Sequence, residues 1–113
     1  MSDTEHILRS KMSSQERAFR SRLAQLIHQD GMLRGTLLSR KRVCGKASCR
    51  CTKGHLHEGL YLVIREGGRT RQLYVPKGWE PTVRRWVGNY QQAKELLEEI
   101  SRIHWDKIRR RQD

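Results

Sequence analysis

The chain has 113 residues, with 24 Lys/Arg against 12 Asp/Glu and a formal net charge of +12. That length suits one small domain, and that charge favours polyanionic partners. Only 35% of the residues are hydrophobic, so the core is thin and a structural metal would offset the weakness. No apolar run approaches the ~18 residues that span a bilayer. The opening Met-Ser-Asp-Thr-Glu-His reads as no secretory signal. A cytoplasmic, reducing environment is therefore expected, with no membrane partner.

Residues 4–28 read as a helix, with Thr4 as a candidate N-cap. Ile7, Leu8, Met12, Phe19, Leu23, Leu26 and Ile27 recur at helical spacing, and the stripe breaks at Gln15 and Glu16. Residues 32–43 read as an extended strand, and residues 44–59 as an irregular loop rich in Gly, Cys and His. Tyr61–Arg65 and Arg69–Val75 flank Gly67-Gly68, the pattern of a β-hairpin with a primed turn. In that register Leu62 faces Leu73 and Leu60 faces Val75. With Ile64 they make an apolar face, and Tyr61, Val63, Arg65, Thr70, Gln72 and Tyr74 fall on the other. Pro76 ends the strand. From Glu80 to about Arg110 the pattern is one long helix, with Val83, Trp86, Tyr90, Ala93, Leu97 and Ile100 as its stripe.

The predicted fold class is α+β: an N-terminal helix, a small three-stranded antiparallel sheet with a zinc-knuckle loop, and a long C-terminal helix. The expected divisions are a helical segment over 1–30, a basic β domain over 31–79 and the helix over 80–113, packed as one compact unit.

All three cysteines, Cys44, Cys49 and Cys51, fall within eight residues, and His55 and His57 follow. In a reducing compartment such a cluster points to metal rather than to disulfides. Zinc takes four sulfur or nitrogen ligands, so three thiolates and one histidine complete a structural site. Either histidine is near enough along the chain. Three thiolates, a neutral histidine and Zn²⁺ carry net −1, which Lys46, Arg50 and Lys53 would balance. A redox-sensing thiol cluster is the minor alternative, because nearby cations lower thiol pKa values. A catalytic zinc needs an open position and a base, and Glu58 is the sole acid close by in sequence.

The charge is concentrated. Residues 31–79 carry a net +9, against +1 for residues 1–30 and +2 for residues 80–113. Arg40, Lys41, Arg42, Lys46, Arg50, Lys53, Arg65, Arg69 and Arg71 are candidate nucleic-acid contacts, with Tyr61 and Tyr74 as candidate stacking rings.

The order Cys44-Gly-Lys-Ala-Ser-Cys49-Arg-Cys51, Gly54, His57, then Tyr61, Gly68-Arg-Thr, and Tyr74-Val-Pro76 resembles a small prokaryotic family of unknown function. That family's pattern is Cys-Gly-Lys-x-x-Cys-x-Cys, then His-Gly-Pro-Tyr, a Gly-Arg/Lys-Thr hairpin and Tyr-Val-Pro. The resemblance spans roughly residues 33–105 and leaves residues 1–30 outside. It implies His57 over His55 as the fourth ligand. This chain departs from the pattern at His57-Glu-Gly-Leu60. Such genes often neighbour transposase or integrase genes, which implies a mobile-element accessory role.

The leading expectation is a zinc-stabilised, nucleoid-associated DNA-binding accessory protein without enzymatic activity, with DNA favoured over RNA and a recombinase or transposase as partner. The alternative is a helix-mediated protein-interaction adaptor, dimerising through the C-terminal helix. Catalysis ranks last: nucleases need clustered carboxylates, and the middle segment has only Glu58 and Glu66.

Overall fold

The computed structural model describes residues 12–42 and 57–111. Its elements run α1 (Ser14–Ile27), β1 (Thr36–Arg42), β2 (His57–Glu66), β3 (Arg69–Val75), a 3₁₀ turn (Lys77–Trp79) and α2 (Glu80–Arg111). This is the expected α+β order, with one three-stranded antiparallel sheet ordered β1-β2-β3. The chain divides into two compact units, with boundaries after Gly31 and after Gly88. The long helix contributes to both.

The sheet unit, Met32–Gly88, is organised by the hairpin. Gly67 and Gly68 have φ of 58° and 77°, the left-handed conformation a primed turn demands. The turn sets the register Leu62↔Leu73 and Leu60↔Val75, as the alternation implies. Leu60, Leu62 and Val75 are buried with Val83 from the first turn of α2, and Leu33, Leu37 and Val87 pack against them. Each such burial contributes about 1.5–3 kcal/mol. The Leu33 N–H donates to the Trp86 carbonyl at 3.1 Å. Trp79 meets Trp86 edge-on at 6.0 Å between centroids.

Two boundaries differ from the sequence reading. β1 begins at Thr36 because Gly35, at φ +151°, redirects the chain; a Cβ there would lie 2.6 Å from Leu62 Cδ1. β2 begins at His57, within the segment expected to be loop, because Arg40, Lys41 and Arg42 pair with Gly59, Glu58 and His57.

The helical unit joins α1 to the part of α2 from Asn89 onward. α1 starts at Ser14; the Thr4 cap expected from sequence lies outside the described residues. Ser13 is the N-cap, and its Oγ accepts from the Glu16 N–H at 3.0 Å. The two helices run antiparallel. Glu16 lies beside His104 and Lys107, Arg22 donates to Gln92 at 3.0 Å, and Asn89 Nδ2 donates to the Gly31 carbonyl at 3.0 Å. Leu26 and Ala93 are buried here. Leu97, expected in the stripe, is 56% exposed. The packed face drifts along the helix, and Leu96 and Ile100 lie on its half-buried side.

Candidate nucleic-acid interface

Period-two alternation sorts the sheet's charges. One face, called inner here, carries the core residues Leu60, Leu62 and Val75 and, on the same alternation, Lys41, Glu58, Glu66, Arg69 and Arg71. The outer face takes Arg40, Arg65, Leu38, Tyr61, Val63 and Tyr74, with the Arg42 and His57 positions at its far end. Both acids of the strands are therefore inner. Three arginine positions and no acid are outer.

Of the inner-face charges, Arg71, Glu66 and Glu58 have partners. Arg71 donates to Glu66 at 3.1 Å, and an Arg34 nitrogen lies 3.9 Å from the same carboxylate. The Ser39 hydroxyl donates to Glu58 at 2.8 Å. Arg71 is thus part of an ion pair on the side away from Arg40 and Arg65. The basic residues that looked contiguous in sequence belong to two surfaces.

On the outer face Tyr61 is 4% exposed. Tyr74 meets it edge-on at 5.5 Å, and the Arg40 guanidinium carbon lies 6.0 Å from its ring centroid. Gly59 makes this packing possible: a Cβ there would stand 3.1 Å from Tyr74 Cε1 and 3.4 Å from Tyr61 Cε2. Tyr61 is therefore a support, while Tyr74, at 46% exposed, presents aromatic surface. Leu38 is 38% exposed on the same face. Arg40 and Arg65 are exposed. Exposed guanidinium groups with one aromatic surface can grip phosphates and stack a base. The sequence reading missed Gly59 and Leu38, whose roles depend on cross-strand neighbours.

Cys44, Cys49, Cys51, His55, Lys46, Arg50 and Lys53 lie outside the described residues. His57 is the first residue of β2 and pairs with Arg42, the last of β1. The β1–β2 connection thus leaves and returns at one strand pair. Among the described residues, no group of three or more His, Cys, Asp or Glu is placed to hold a metal.

Sequence reading also missed Glu16, which it took as a break in the apolar stripe. Glu16 is 1% exposed. Arg20 Nε donates to its Oε2 at 2.8 Å, His104 Nε2 lies 3.5 Å from the same oxygen, and Lys107 Nζ lies 3.5 Å from Oε1. Burial alone would raise its pKa. The Arg20 hydrogen bond and the charges of Arg20, His104 and Lys107 outweigh burial and hold it below its ordinary value. The signal available was Ser13-x-x-Glu16, a capping-box spacing. Here the glutamate instead holds α1 to α2.

Residues 10–85 match the family described as "Domain of unknown function (DUF6788)". The chain belongs to this family. The DUF6788 match begins before α1, so that helix is part of the family's domain rather than an addition outside it, as the resemblance had implied. The match ends at Arg85, early in α2. No curated protein and no solved structure matches the chain. Among the described residues, no helix is long and apolar enough to cross a membrane.

Proposed function

We infer that this DUF6788 protein is a zinc-stabilised nucleic-acid-binding accessory protein, and that the outer sheet face is its binding surface. The observation that carries this reading is the sorting of charge across the sheet. Arg40 and Arg65 share the outer face, whereas Glu58 and Glu66 are both on the other. A basic protein selected for solubility alone has no need to clear the acids from one face. Arg40 and Arg65 contact phosphates, and Tyr74 lies against a base or sugar.

Cys44, Cys49, Cys51 and His57 hold the zinc in this reading, with His55 as the alternative fourth ligand. The Arg42↔His57 pair supports it: His57 is anchored in the ladder, and Cys44 follows Arg42 by two residues. Bound zinc supplies a structural cross-link across the β1–β2 connection. That connection also carries Lys46, Arg50 and Lys53 as further candidate phosphate contacts. DNA is favoured over RNA, because the sequence pattern resembles a family found beside transposase and integrase genes. The role is then that of a recombination or transposition helper at the nucleoid, with a recombinase or transposase as its protein partner and no catalysis of its own.

Fluorescence anisotropy of the zinc-loaded protein against duplex DNA, single-stranded DNA and RNA, each over a salt series, tests this reading. Binding with a steep salt slope, weakened by Arg40→Ala and Arg65→Ala but little changed by Arg71→Ala, is the expected result. Absence of binding near physiological salt, or equal losses from inner-face and outer-face variants, refutes it.

A further inference from the structure

The C-terminal half of α2 carries an apolar stripe that α1 does not cover. Leu97, Trp105 and Ile108 are 56%, 72% and 57% exposed. With Ser101 between them they fall within an arc of about 80° at 100° per residue. Ala93 is buried and Leu96, Ile100 and Ile103 are half-buried, on the adjoining arc. Single exposed apolar residues need no explanation, but a stripe of three on one helix face does.

The stripe reads nearly the same from either end, with steps of four, four and three residues from Leu97 through Ser101 and Trp105 to Ile108. Laid antiparallel against itself about a twofold axis near Arg102 and Ile103, Leu97 of each copy meets Ile108 of the other. Trp105 then meets Ser101, a large side chain against a small one. An open cleft of about 470 Å³ lies there, lined by Ser101, Trp105, Glu98 and Arg102 among others.

Charge selects the same arrangement. Glu98, towards one end of the segment, and Arg109, towards the other, flank the same side of the stripe, whereas Glu95, Glu99 and Arg110 point away from it. Antiparallel pairing sets Glu98 against Arg109, which also pairs with Asp106 of its own helix, whereas parallel pairing sets each against its like. A basic polyanion-binding surface accounts for none of these apolar exposures.

We propose that α2 is the self-association surface of this protein, pairing antiparallel with α2 of a second copy through Leu97, Ser101, Trp105 and Ile108. Each Glu98 faces Arg109 of the other copy across the seam.

Sedimentation equilibrium of the full chain, without nucleic acid, tests the proposal. A monomer–dimer equilibrium at micromolar concentrations is expected. Trp105→Glu weakens it by at least about thirtyfold, the effect of losing a central aromatic anchor. Glu98→Arg alone weakens it about fivefold, since two symmetric exposed pairs are lost. The double variant Glu98→Arg, Arg109→Glu returns to within about twofold of the parent. Far-UV circular dichroism confirms that each variant keeps its helices. Should Trp105→Glu misfold, Leu97→Ser with Ile108→Ser replaces it, and the same loss of association is expected. A chain that stays monomeric at millimolar concentration overturns the proposal, as does a dimer unaffected by the stripe variants. A dimer strengthened by Glu98→Arg overturns the antiparallel register.

Discussion

Replacing Glu16 by glutamine keeps the side chain's shape and leaves one oxygen to accept from Arg20, but it removes the charge that Arg20 and Lys107 share, beside His104. A hydrogen bond to a charged group contributes about 1.5–3 kcal/mol to stability. The side chains of Arg20, His104 and Lys107 are 49%, 46% and 43% exposed, against 2% for Glu16. Water therefore screens part of the attraction, and each partner can re-solvate when the carboxylate is lost. The low end of the range applies, so Glu16→Gln is expected to cost about 1.5 kcal/mol. Glu16→Ala, which also removes the buried stem, costs about 3 kcal/mol.

The acid dependence has a defined sign. The folded carboxyl titrates below its ordinary value. Its contribution is therefore complete above the unfolded-state pKa and is lost as pH falls through the lower folded-state pKa. Urea unfolding followed by far-UV circular dichroism, at neutral pH and then through the carboxylate range, measures both effects. The parent should lose stability relative to Glu16→Gln as the medium is acidified, so the two curves converge. Taking the difference between the two chains cancels protonation of the thiolates in a zinc site. Curves that stay parallel, or a neutral-pH difference under about 0.3 kcal/mol, would show that Glu16 is a buried bystander rather than the clamp between α1 and α2.

Other outcomes follow from the sheet. Arg40→Ala and Arg65→Ala should each lower the slope of log affinity against log salt by about one, while Arg71→Ala, tied to Glu66 on the inner face, should leave it unchanged; titration by anisotropy reads the slope. Gly35→Ala combines a φ of +151° with a Cβ 2.6 Å from Leu62 Cδ1, and should cost about 2–3 kcal/mol by chemical denaturation. Gly68→Ala, at φ +77° with open space around it, should cost only about 1 kcal/mol; equal losses at the two glycines would contradict the close approach. Native mass spectrometry should find one zinc per chain and none in Cys49→Ser, and chelation should lower the unfolding temperature.

Local chemistry was legible in the sequence because its causes are local. Gly67-Gly68 fixes the turn, the turn fixes the Leu60↔Val75 and Leu62↔Leu73 register, and alternation then assigns every strand residue to a face. Pro81 and the spacing from Val83 mark α2, and its observed end at Arg111 lies one residue beyond the expected one. The concentration of charge and the spacing of Cys44, Cys49, Cys51 and His57 are properties of the chain alone. What the sequence could not show is which residues meet across elements. Glu16 looked like a polar interruption because its partners include His104 and Lys107, distant in sequence but adjacent once α1 and α2 lie antiparallel. Tyr61 and Tyr74 looked equivalent until Gly59 and Arg40, on positions set by strand pairing, left one buried and the other exposed. Nor could a sequence stripe separate Ala93 from Leu97, since α1 covers only part of the helix. Burial of a charge or a ring depends on partners brought from elsewhere in the chain, and that is what the tertiary structure decided.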